Sequence, residues 1–266
     1  MVDIVVNHAK QRLAAGKVCF GLTIRFNRTV EVVRMAAASG YHYVMMDLQH
    51  STMDFDTAAH LCSAALDAGV TPIVRVPSHL PHHAQRILDG GAMGIIVPDI
   101  NTAEEARQAV MNCKYPPIGK RSHMGPTIQI GWKKMPMSEY TRILNENLLL
   151  IALVESVEGL ENIEAICEVE GIDMISVGTN DLSLSMGMPG DYDNPKIIAA
   201  YKRIVEVAHK NGKFVRLGGV PDPDRIQRNI ELGSRLVAVG NDTVLFLQAL
   251  RSGIADLQGR IDPAYL

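Results

Sequence analysis

A chain of 266 residues, 47% hydrophobic and 21% charged, has ordinary globular proportions and room for one large domain or two small ones. Lys and Arg number 26 against 29 Asp and Glu, so no basic excess exists to neutralise phosphates, and aromatic residues are scarce at 5%. Those figures exclude a nucleic-acid or membrane-surface protein and leave an enzyme or small-molecule binder. The four cysteines, Cys19, Cys62, Cys113 and Cys167, lie more than forty residues apart, which offers no zinc motif, redox pair or disulfide framework. The first residues lack the apolar run of a signal peptide, and no window approaches the roughly 20 apolar residues of a membrane span, so a cytoplasmic protein is expected.

In chain order, short apolar runs alternate with stretches of helical periodicity. Val18–Ile24 is followed by helical Thr29–Ser39, His42–Met46 by Asp56–Ala68, and then comes Thr71–Val74. Gly94–Val97 precedes Ala103–Asn112, Leu149–Val154 precedes Leu160–Glu168, and Asp173–Val177 precedes Pro195–Asn211. Lys213–Leu217 and Leu236–Val239 precede Pro223–Leu232 and Thr243–Leu257 respectively. The runs do not alternate apolar with polar, which is the habit of parallel strands covered on both faces. Eight strand–helix units over about 250 residues predict an α/β fold, a single (β/α)8 TIM barrel spanning 1–266. A doubly wound sheet is the competitor, but no GxGxxG follows the first strand. One connection is long: Lys114–Asn147, rich in Pro, Gly and basic residues, reads as a functional loop.

Barrel enzymes keep their chemistry at the C-terminal ends of the strands. Those ends carry Arg25, then Asp47-Leu48-Gln49-His50, Arg75, Asp99, Glu155 and Gly178-Thr179-Asn180-Asp181. Glu155 follows LLLIALV, where an unpaired carboxylate would be costly to bury. It needs a metal or a cation nearby, and a salt bridge to Arg121 or Arg75 is the plainer alternative. Asp181 either caps a helix or joins Glu155 on a hard divalent cation such as Mg²⁺ or Mn²⁺. Asp47 and His50 suit a base with its orienting carboxylate, against a surface histidine beside a turn. Arg75 closes an apolar strand and is suited to an anion or an enolate-like oxygen. Backbone N–H groups at Gly178-Thr179-Asn180 could cradle a carboxylate. Gly218-Gly219 and Gly240 fit tight turns better than a phosphate site, since Asp242 would repel one. No lysine lies inside a strand, Lys213 only opening one, which disfavours a Schiff-base route.

The segments MMDLQHS, PIVRVP, GIIVPDINTAEEARQAV, KYPPIGKRS, IALVESVEGLENI, GIDMISVGTNDLSLSMG and LVAVGNDTVLF, in this order, resemble the HpcH/HpaI aldolase family of class II pyruvate aldolases. The resemblance runs from Gly21 to the region of Asn241. It implies a barrel that reversibly cleaves a 4-hydroxy-2-oxo acid into pyruvate and an aldehyde, in aromatic or sugar-acid catabolism, on a divalent metal (Mg²⁺ or Mn²⁺, with Co²⁺ or Zn²⁺ also admitted). By matching positions, Glu155 and Asp181 would bind the metal, and His50, oriented by Asp47, would be the acid–base through a metal-held water. Arg75 would bind the keto oxygen, and Gly178, Thr179, Asn180 and Asp181 the pyruvate carboxylate. Arg121 would lie in an active-site loop at about 114–147. The resemblance also implies a homohexamer, a trimer of dimers.

Two positions depart from the family's pattern. Gln49 stands where a Glu is usual, which removes a charge near the metal, and Thr179-Asn180 replaces a common Pro-x. Arg25, where small polar residues are common, is expected to read an acidic or oxygen-rich acceptor. Two other functions fit the same residues: an oxaloacetate decarboxylase or related enolate-forming lyase or hydratase, and a non-catalytic 2-oxo-acid-binding barrel.

Overall fold

The apolar runs form eight strands: β1 (Cys19–Ile24), β2 (Tyr43–Asp47), β3 (Thr71–Arg75), β4 (Gly94–Val97), β5 (Leu149–Val154), β6 (Met174–Gly178), β7 (Phe214–Gly218) and β8 (Leu236–Asn241). All pair in parallel, in the order β7-β6-β5-β4-β3-β2-β1-β8. Across the β7–β8 seam, Arg235 N–H donates to Val215 O at 3.0 Å, and Leu217 N–H donates to Ser234 Oγ at 3.1 Å. The computed structural model, which describes residues 6–265, is therefore a nearly closed (β/α)8 TIM barrel, as the sequence predicts.

The helices are α1 (His8–Ala14), α2 (Glu31–Ala38), α3 (Phe55–Asp67), α4 (Pro81–Asp89), α5 (Ala103–Cys113), α6 (Met137–Asn147), α7 (Val157–Glu161), α8 (Ile163–Cys167), α9 (Thr179–Ser185), α10 (Pro195–Lys210), α11 (Pro223–Leu232) and α12 (Asp242–Gln258). Their ends follow local chemistry. Thr102 and Glu105 form a reciprocal capping box on α5, and Asp222 caps α11 just before Pro223. The stretch expected as one helix at Leu160–Glu168 is two, α7 and α8, because Asn162 leaves helical geometry and its side-chain Nδ2 donates to Asn101 O at 2.9 Å.

Apolar side chains segregate into two layers. Outward-facing strand residues such as Val44, Val74 and Ile175 pack under the helices, while Tyr43, Met45, Ile73, Ile151 and Leu153 fill the barrel interior. Ala9 and Leu13 of α1 join the interior layer and plug its N-terminal end, where Asn7 donates to Met93 O and Asn147 O. Lys10 and Lys114 both reach Asp173 at that end.

The Lys114–Asn147 segment belongs to this N-terminal end. It joins the C-terminus of α5 to the N-terminus of β5, so the chain's direction carries it to the end opposite the strand tips. Much of its length is α6 and a 3₁₀ turn at Ile128–Ile130, with Tyr115, Ile130, Tyr140 and Leu144 forming a small core of their own. The expected active-site loop is, within this chain, a structural cap.

Candidate active site

A cavity of about 330 Å³, the size of a small-molecule site, opens at the C-terminal ends of the strands. Arg25, His50, Arg75, Glu155, Gly178, Thr179, Asn180 and Asp181 line it, eight of the residues expected from sequence. No lysine does. Among the described residues the one deeply buried lysine, Lys114, is 4% exposed but tied to Asp173 and Asn145 O at the far end of the barrel.

Asp47, at the tip of β2, is fully buried and holds two cations. Arg25 Nε donates to Oδ2 at 2.8 Å; Arg75 donates from Nη2 to Oδ2 at 2.6 Å and from Nε to Oδ1 at 3.0 Å. Burial works to raise the carboxyl, but the Arg75 contacts, the His50 amide and Arg25 outweigh it and hold Asp47 at about 2. The Asp47 side chain positions His50 through the main chain, accepting the amides of Gln49 (3.2 Å) and His50 (3.1 Å). That differs from the expected carboxylate–imidazole pair: both carboxylate oxygens are already engaged by guanidinium and amide groups. His50 itself is exposed at the mouth.

Glu155, one residue past β5, is 6% exposed and has no salt bridge among the described residues. Its Oε1 accepts the Asp99 amide at 3.1 Å, aimed there by a left-handed backbone at Asp99 (φ 52°). Burial, then the nearby charges of Asp99 and Asp181, push its carboxyl up to about 7 against that amide and Arg75. Gly178 makes the room: a Cβ there would stand 2.7 Å from Glu155 Cβ. Asp181 lies in the first turn of α9 without a capping bond, so the plain capping alternative is not realised. A buried carboxylate without a cation beside a second, exposed carboxylate, both oxygen donors at the mouth, fits a hard divalent ion that keeps several waters. No group of three or more His, Cys, Asp or Glu suited to a metal occurs among the described residues.

The opening of α9 is braced from α10 and its approach. Tyr201 Oη donates to Thr179 Oγ1 at 2.9 Å, and Tyr192 Oη donates to Asn180 Oδ1 at 2.8 Å. Gly219 (φ 117°) lies alongside: a Cβ on it would stand 3.2 Å from Thr179 Cβ and 3.7 Å from the Asn180 amide nitrogen. Gly219 therefore keeps space open in front of these amides.

Three expected residues do not line the cavity: Asp47, buried behind the two arginines it holds, Arg121 and Gln49. Arg121 is 3% exposed at the N-terminal end, where it donates to Asp89 Oδ1 at 2.7 Å and stacks 4.5 Å from the Tyr115 ring. Gln49 sits beside Asp47 with its Oε1 enclosed and unpartnered, and it does not line the cavity. The structure adds two residues whose roles the strand ends do not announce. Asp242, by sequence only a charge that would repel a phosphate, is one of them. It accepts the amides of Arg25, Phe26 and Asn27 at 3.0, 3.1 and 2.9 Å and so fixes the β1 loop. Arg216 lines the cavity from the middle of β7.

Residues 24–249 match the family model HpcH/HpaI aldolase/citrate lyase. The chain is 37% identical over 216 residues to a protein of Chaetomium globosum named 4-hydroxy-4-methyl-2-oxoglutarate aldolase, covering 80% of each. It is 32% identical over 258 residues to the 2-keto-3-deoxy-L-rhamnonate aldolase of Escherichia coli K12, covering 96% of this chain and 94% of that one. The crystal structure of an HpcH/HpaI aldolase from Desulfitobacterium hafniense superposes with a TM-score of 0.89 at 29% identity, over 94% of this chain and 96% of that one. A family match over most of the chain and agreement in fold converge on a carbon–carbon lyase scaffold: the chain belongs to the HpcH/HpaI aldolase/citrate lyase family.

Proposed function

We propose that the chain is a divalent-metal-dependent aldolase that reversibly cleaves a 4-hydroxy-2-oxo acid into pyruvate and an aldehyde. The observation that carries this reading is Glu155, a buried carboxylate without a cation, set beside Asp181 and facing Arg75 in a cavity that no lysine lines. Glu155 and Asp181 would hold the metal, Mg²⁺ or Mn²⁺ by the chemistry of two carboxylates. When bound, it would supply Lewis-acid stabilisation of negative charge on the substrate's C2 oxygen.

The chain's own groups account for the remaining chemistry. Cleavage takes the proton from the C4 hydroxyl and breaks the C3–C4 bond. The aldehyde leaves, the bonding pair moves toward the C2 oxygen, and protonation at C3 gives pyruvate. Arg75, held by two bonds to Asp47, is pre-aimed to donate to the developing oxyanion without reorganisation. His50, at the open mouth on a loop pinned by Asp47, is placed to accept the hydroxyl proton. The amides of Thr179 and Asn180, kept clear by Gly219, face the carboxylate end of the substrate. With no lysine at the site, activity is expected to vanish on chelation, return with Mg²⁺ or Mn²⁺, and survive borohydride in the presence of pyruvate. Borohydride inactivation would overturn the reading.

A homo-oligomer, a hexamer by family resemblance, goes with this reading. On α12 only Asp242 is buried, and Phe246, Leu250, Ile254 and Leu257 stand more than half exposed. Val239 on β8 is also open. That is more contiguous apolar surface than a monomer ordinarily leaves to water. Sedimentation showing a monomer would count against it. No described helix is long and apolar enough to cross a membrane, and four buried free thiols suit a reducing, cytoplasmic compartment.

A further inference from the structure

Strand β7 reads Phe214-Val215-Arg216-Leu217-Gly218, and a charged side chain in the middle of an apolar strand is costly unless something receives it. Arg216 points into the barrel, 8% exposed, and forms part of the cavity floor with Met45, Ile96 and Leu153. A guanidinium carries five N–H donors. Here Nη1 donates to Ser176 Oγ at 2.9 Å, while Nε is enclosed without a hydrogen-bond partner. Among the described residues no carboxylate pairs with it, in contrast to Arg25 and Arg75, which are both tied to Asp47. The buried Tyr43 phenol lies beside this guanidinium, whose charge and side-chain contact pull it down, but burial outweighs both and pushes it up to about 12, so it stays neutral and supplies no counter-charge.

Gly218 is what lets the guanidinium lie where it does. Residues 216 and 218 leave β7 on the same face, and a Cβ at 218 would stand 2.6 Å from Arg216 Cζ and 2.9 Å from Nη2. Gly218 pairs in register with Gly178, so the guanidinium rises to the level at which Glu155 and the opening of α9 begin. The Arg-Leu-Gly sequence thus aims a desolvated cation upward into the cavity, at a place where a larger residue after it would push the cation aside.

Arg75 and the Glu155–Asp181 pair already serve the 2-oxo-acid end of a ligand. Arg216 is a further buried cation beyond that need, and a desolvated guanidinium with free donors is matched best by a carboxylate. We propose that Arg216 is a specificity-determining substrate-binding residue, which receives a carboxylate at the cavity floor and selects a 2-oxo acid bearing a second carboxylate over pyruvate alone. The proposal rests on the 2-oxo-acid reading of the site.

The test is equilibrium binding by calorimetry of two probes, pyruvate and 2-oxoglutarate, to the Mg²⁺-loaded protein and to Arg216→Met, Arg216→Lys and Gly218→Ala. Wild type is expected to bind the dicarboxylate more tightly. Arg216→Met is expected to weaken that binding ten- to a hundredfold while pyruvate changes less than about threefold. Arg216→Lys should recover part of the loss, and Gly218→Ala, which keeps the cation but displaces it, should resemble Arg216→Met. If Arg216→Met does not fold, the other two variants carry the comparison. Equal weakening of both probes, or no weakening of either, would overturn the role of Arg216. A wild-type protein that exchanges the methyl protons of pyruvate but shows no preference for the dicarboxylate overturns this proposal alone. Binding of neither probe overturns the 2-oxo-acid reading as well.

Discussion

Replacing Asp47 with Asn tests how the site is built, because one carboxylate holds two arginines and a loop. Oδ2 accepts Arg25 Nε at 2.8 Å and Arg75 Nη2 at 2.6 Å; Oδ1 accepts Arg75 Nε at 3.0 Å and the amides of Gln49 and His50. An asparagine keeps one oxygen and turns donors toward whatever faced the other. In its better orientation it retains the Oδ1 set and loses both bonds to Oδ2. Hydrogen bonds to charged groups are worth about 1.5–3 kcal/mol each, which gives roughly 3–6 kcal/mol gross. Arg25 is 39% exposed and water takes over part of its share, so about 3 kcal/mol of net destabilisation is expected. With Arg75 held by its Nε alone, a displacement of about 1 Å at the oxyanion is expected to cost roughly a hundredfold in kcat/KM. Denaturant unfolding and steady-state kinetics at pH 7 read the two effects.

The pH dependence of the same variant gives a second check. Asp47 is held at about 2 against an ordinary 3.8, so its stabilisation is complete above about 4 and fades as pH falls through 2. The gap between wild type and Asp47→Asn should be as large at pH 5 as at pH 7 and should close in stronger acid. Unfolding within about 0.5 kcal/mol of wild type, with full activity, would refute the assignment of Asp47 as the anchor of both arginines.

Glu155 carries the opposite sign. Its folded carboxyl is raised from 4.5 to about 7, so in metal-free protein its contribution is present below 4.5 and lost as pH rises through 7. Metal-free wild type is therefore expected to lose stability between pH 4.5 and 7, and Glu155→Gln is expected to flatten that slope and abolish the thermal shift given by Mg²⁺ or Mn²⁺. Gly178→Ala places a methyl 2.7 Å from Glu155 Cβ, and at least a tenfold loss of divalent-cation affinity is expected by titration. Asp242→Ala removes the acceptor of three backbone amides in the β1 loop, at about 2 kcal/mol in unfolding and with a raised KM through Arg25. Arg121→Ala is expected to cost about 3 kcal/mol by breaking a buried ion pair while leaving kcat within about twofold, since the pair lies at the far end of the barrel.

The barrel was legible because its signal is local and repeated. Unbroken runs such as LLLIALV have no polar face to show water, and each strand begins or ends within two residues of its expected position. Strand tips gave most of the site for the same reason, since chain direction alone sends Arg25, Arg75, Glu155 and Asp181 to one mouth. Chain direction also explains the position of Lys114–Asn147: its length suggests function, but an α-to-β connection lies at the N-terminal end of this barrel. Partner choice is what a sequence conceals. Asp47 looked like the orienter of His50, yet two guanidinium groups compete better for its oxygens. Arg216 was hidden inside a strand, where only its oddness within FVRLGG and the two glycines after it hinted at a role.

Metal-assisted removal and return of a proton next to the pyruvate carbonyl can be measured without knowing the aldehyde. Pyruvate incubated in D₂O with the protein and Mg²⁺ or Mn²⁺ should lose its methyl proton signal in the NMR spectrum. The loss should stop on chelation and be absent in Glu155→Gln. A metal-replete, folded protein that binds pyruvate and leaves its methyl protons unexchanged would rule out enolate formation and leave a binding barrel in its place.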